Sequence, residues 1–156
     1  WIWSEVMTVL VTDAGFVPDT WRDGYVPLSA LSDHGGLPGR RGVEIGSPEL
    51  TRSDWARLCR MLPLLDLVRV RLRHFGDTAA LDLASAVRAQ GYAGRLRAHG
   101  AVLAGLYTLA RRSGFDEVEL VREQARLQPC EHWRNEIGWH PVARRGGGQV
   151  ARQDAL

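Results

Sequence analysis

The chain has 156 residues, 45% hydrophobic and 24% charged, which suits one domain with its own core and excludes a disordered polyelectrolyte. Its formal net charge of +2 is small for a nucleic-acid binder, and its apolar runs are too short to span a bilayer. Every basic side chain is arginine; this favours planar anions chemically, but fits a GC-rich coding bias better in a chain with one Asn.

In chain order, Trp1–Val6 lacks the basic leader and apolar stretch of a signal peptide, and Met7 reads as an alternative start. Met7–Val11 is a β-rich run followed by the turn signal Asp13-Ala14-Gly15. Tyr25–Leu28 carries Pro27 and therefore reads as an edge strand, because proline cannot donate into a central ladder. Ser32–Gly42, with four glycines and Pro38, reads as a loop.

From Val43 the pattern becomes regular. Val43–Ile45 predicts a short strand, and Thr51 with Asp54 predicts a box-like cap. The helix that follows carries Trp55, Leu58, Cys59 and Leu62 at helical spacing and stops before Pro63. Leu67–Leu72 alternates apolar and basic residues as a strand does, and Asp77 caps a helix with Leu81, Ala84, Ala86 and Val87 inward, stopped by Gly91. Arg95–Ala98 predicts a strand. Ala101–Ser113 predicts a helix burying Leu103, Leu106, Tyr107 and Ala110, with Gly114 ending it. Glu117–Val121 predicts a strand, Pro129 opens a last helix to about Ile137, and the tail from Val142 reads as disordered.

Strands and helices alternating roughly every 25 residues imply parallel pairing through right-handed crossovers. The expected fold class is therefore α/β: a mostly parallel sheet from four successive βα units, as an open sheet or half-barrel, with a short N-terminal β region. Residues 1–141 are expected to form a single domain, with N-terminal strands and a loop over 1–41 and βα units over 42–141. Residues 142–156 would be a tail.

Ligands of parallel sheets gather beyond the carboxyl ends of the strands. There stand Ser47, the turn His74–Asp77, His99-Gly100, and Arg122-Glu123. His74, Asp77 and His99 are the catalytic candidates, without an assigned reaction. Ser47, Arg71, Arg73 and Arg97 are the anion-binding candidates, aided by helix N-termini. Asp77 has a helix-cap reading that outweighs the catalytic one, and both histidines also fit plain turn positions. Arg69, Arg71 and Arg73 share one strand face, and on a covered parallel strand they need water, acidic partners or a bound anion. Cys130, His132 and His140 match no zinc spacing, no phosphate loop or nucleophile elbow occurs, and no cofactor or metal is expected. Cys59 and Cys130 without C-x-x-C suit reduced thiols in the cytoplasm. Trp133 and Trp139 read as cover for the last helix or as a partner contact.

The residues His74-Phe75-Gly76-Asp77, Gly91–Ala98, Gly100, Val102-Leu103, Arg111-Arg112 and Gly114–Leu120 carry a family resemblance. In order over about Met7–Glu123, and most strongly over Val68–Leu120, the chain resembles the bacterial domain of unknown function 934 family. That resemblance implies an accessory role in sulfite assimilation, since members are associated with sulfite reductase. Where the family reads Asp-Gly-Arg-Gly, this chain has Asp77-Thr78-Ala79-Ala80, and Arg71 stands for a family aspartate. Ala101 and Ala104-Gly105-Leu106 replace an aspartate and an Arg-Asp-Gln run, so the chain resembles a divergent member. Two expectations follow. One is an accessory partner of an oxidoreductase, or a homo-oligomer, docking through an apolar surface near Trp133 and Trp139. The other is a small enzyme or oxyanion-binding protein using His, Arg and Asp at the sheet edge. Neither involves nucleic acid or membrane.

Overall fold

A computed structural model of the chain describes residues 8–31, 41–46 and 50–139. Of the loop expected over Ser32–Gly42, residues 32–40 lie outside the described residues, as do Ser47, His140 and the tail from Val142, while Gly42 falls in a strand. The strands are β1 (Thr8–Thr12), β2 (Gly15–Pro18), β3 (Val26–Pro27), β4 (Gly42–Ile45), β5 (Leu67–Leu72), β6 (Arg95–Gly100) and β7 (Glu117–Val121). The helices are α1 (Arg52–Met61), α2 (Thr78–Ala89), α3 (Tyr107–Ser113), α4 (Arg122–Leu127) and α5 (Cys130–Trp139).

The strands form one open sheet in the order β2-β1-β7-β6-β5-β4-β3. From β3 to β7 every pair is parallel, while the hairpin β1–β2 joins β7 antiparallel, Thr8 opposite Val121. The mostly parallel α/β reading holds, and Pro27 does sit on an edge strand.

Local chemistry explains the helix limits. Thr51 and Asp54 form a reciprocal capping box on α1, Asp77 Oδ1 accepts from Ala80 N–H at the start of α2, and Gly114 at φ +115° ends α3. Two readings need correction. The predicted helix from Ala101 begins as a 3₁₀ turn at Ala104 and becomes α only at Tyr107. The cause is Gly100, whose φ of +93° turns the chain at the end of β6; an added Cβ there would lie 2.4 Å from the Leu72 carbonyl oxygen. Leu103, expected inside, therefore falls in the turn and is exposed. Helix α4 was not foreseen, because a six-residue helix carries too few apolar positions to show a period.

One sheet face is apolar. Val68, Val70, Leu72, Leu96, Ala98, Val118 and Leu120 pack with Leu58 and Met61 of α1, Ala80, Ala84 and Val87 of α2, and Tyr107 and Ala110 of α3. Trp133 of α5 is fully buried in this core, its Nε1 donating to Gln128 O at 3.0 Å and its ring edge-on to Tyr107. That placement takes Trp133 out of the docking surface expected near Trp133 and Trp139; the side chain of Trp139 lies outside the described residues.

The opposite face is charged and curls inward. Residues Asp19–Tyr25 run from β2 at one edge of the sheet to β3 at the other. In a flat sheet six strand spacings of about 4.8 Å would separate those edges by about 29 Å. The eight Cα steps from Pro18 to Val26 reach about 27 Å at full extension. The connection is not extended either: Trp21 N–H donates to Asp19 Oδ1, Trp21 Nε1 donates to Gly24 O, and Gly24 has φ +67°. Only a sheet curved around this strap can satisfy it, so the charged face is the concave one.

Candidate functional site

Side chains at alternate positions of parallel strands in register share a face. The pairing Glu44–Arg69–Arg97–Glu117, with Arg71 opposite His99, lays a row of charge across the concave face. At its centre is Arg97, a fully buried guanidinium. Its Nη1 donates to Glu119 Oε1 at 2.7 Å, Asp19 Oδ2 at 3.0 Å and the Tyr25 hydroxyl at 3.1 Å, while Nη2 donates to Asp19 Oδ1 at 3.2 Å. Arg69 bridges Glu119 at 2.8 Å and Glu44 at 3.1 Å and lies 3.7 Å from the centre of the Tyr25 ring. Arg95 forks onto both oxygens of Glu117.

The surroundings set the charge states. Burial pushes the Asp19 carboxyl up, but the Trp21 N–H and Arg97 outweigh it and hold the group below the usual range. Glu44 is likewise held low against burial by His99 and Arg69. Burial pushes the Tyr25 hydroxyl up to about 12, so it donates as a neutral phenol. His99, whose Nε2 faces Glu44 Oε1, is driven below 6.5 by burial and by Arg69, which together exceed the pull of Glu44 and Glu119.

These directions fix a pH response. The folded chain resists protonating His99, so its contribution is complete above 6.5 and is lost as pH falls from there through the lower folded-state value. Asp19 and Glu44 act in the same sense, in a window beginning near their ordinary values of 3.8 and 4.5. Urea midpoints measured between pH 7.5 and 5 should therefore fall before the carboxylates titrate, and His99→Gln should flatten that limb. An unchanged slope in the variant would refute the assignment to His99.

The sequence-derived candidates separate into two groups. Arg97 and His99, with Arg71 beside His99 in register, belong to the concave face. Arg73, His74 and Asp77 belong to the turn after β5. There Asp77 is buried, and its carboxylate accepts from the backbone N–H of Arg73 at 3.0 Å and of Ala80 at 3.2 Å. Burial raises the Asp77 carboxyl, yet those N–H donors hold it low. The ring of His74 is exposed, with Nδ1 at 3.3 Å from Phe75 O. Residues that sequence reasoning missed are Asp19, Tyr25, Glu44, Glu117 and Glu119, the acidic and phenolic partners of the arginines. The alternation of Glu117 and Glu119 in β7 mirrors that of Arg69 and Arg71 and was the available signal.

Two glutamines of the unforeseen α4 region fasten the strand ends. Gln124 Nε2 donates to Gly100 O at 2.6 Å while its Oε1 accepts from Val121 N–H at 3.1 Å. Gln128 accepts from Ala104 N–H at 2.7 Å and donates to Val102 O at 3.0 Å, gripping the turn on both sides of Leu103. Among the described residues no group of three or more His, Cys, Asp or Glu side chains could hold a metal ion, and no helix is long and apolar enough to cross a membrane.

An open α/β sheet with a self-neutralised charged face defines the class of protein; comparison with known families gives the particular one. Residues 50–138, more than half of the chain, match the family described as bacterial protein of unknown function (DUF934). The chain belongs to that family. The match begins at Leu50, later than the resemblance read from Met7, and runs on into α5 as far as residue 138. No curated protein and no solved structure matches the chain.

Proposed function

We propose that this protein is a non-catalytic accessory protein that binds an oxidoreductase, the sulfite reductase of sulfur assimilation. One observation carries the non-catalytic part: the groups able to do chemistry are spent on one another. Arg97 and Arg69 are neutralised by Asp19, Glu44 and Glu119, so they offer little to an incoming oxyanion, and Asp77 is committed to backbone N–H groups. Replacement of the family's Asp-Gly-Arg-Gly by Asp77-Thr78-Ala79-Ala80 points the same way, and the sulfur-assimilation part rests on the family resemblance.

The full chain, tagged and expressed in its native host during growth on sulfate, should retain sulfite reductase through washing. A retained fraction without the reductase overturns the proposal. Thermal-shift assays with sulfite, sulfate and phosphate address the other reading, an oxyanion-binding protein using His, Arg and Asp. The expected result is no rise in Tm at millimolar anion. A rise of several degrees, saturating with concentration, would favour the oxyanion reading instead.

A further inference from the structure

We draw no further inference here: the strongest candidate, the exposed apolar side chains of Leu103 after β6, Val121 at the end of β7 and Leu127 at the end of α4, carries nothing, because nothing in the structure shows what covers them.

Discussion

Arg97→Met should lower the unfolding free energy by about 3–5 kcal/mol, because it removes the one cation at the centre of the charged face and strands Asp19 and Glu119 without it. The loss is a large share of the ~5–15 kcal/mol typical of a domain. Urea denaturation followed by far-ultraviolet circular dichroism measures it. Coulomb attraction alone does not make this arginine important, since a buried ion cluster roughly balances its own desolvation. The damage comes from leaving carboxylates behind with little of their surface open to solvent. Neutralising them together, as Arg97→Met with Asp19→Asn and Glu119→Gln, should therefore recover most of the loss. The triple variant also covers the case in which the single variant does not fold. A single variant within about 1 kcal/mol of the parent, or a triple variant no better than the single, would contradict this account.

Trp133→Ala should cost a similar amount, about 3–5 kcal/mol, through the cavity left by a fully buried indole. Two further effects add to the cavity. The edge-on contact with Tyr107 disappears, and Gln128 O loses the indole N–H that it accepts at 3.0 Å. Trp133→Phe keeps most of the volume but not the donor, so it should fall between the parent and the alanine variant. Because Gln128 holds the turn around Leu103, hydrogen exchange at the Ala104 N–H should quicken in the alanine variant beyond the global change in stability. Exchange that only tracks global unfolding would separate the indole from the turn around Leu103.

How much of this was legible beforehand depended on the distance over which each interaction acts. Thr51 with Asp54, Asp77 with Ala80, and Gly114 after α3 are local devices, and their residue types announced them. Pro27 identified an edge strand from the chemistry of one missing N–H. The alternation of Arg69, Arg71 and Arg73 indicated a shared face and left acidic partners as one of three explanations; Arg69 and Arg71 lie on the strand, while Arg73 falls in the turn after it. The partners themselves were invisible, because Asp19 lies 78 residues from Arg97 and Glu119 lies 50 from Arg69. Leu103 was misassigned because the helical period was begun at Ala101, directly after the positive-φ turn at Gly100, whereas the first helical turn starts only at Ala104. Nothing local revealed that β1 and β2 sit beyond β7, since that adjacency joins the two ends of the described chain.

That adjacency also governs the order in which the chain can mature on the ribosome. Thr8 finds its neighbour only when Val121 has been made. At about 5–20 residues per second, the first hairpin waits on the order of ten seconds for the strand that will cover its flank. A lone two-stranded ribbon is marginal in water. Leu10 and Val11, both buried at the end, are uncovered for that whole interval. Slow translation of the second half would prolong the exposure, and a holding chaperone would have its first client sequence around Leu10 and Val11.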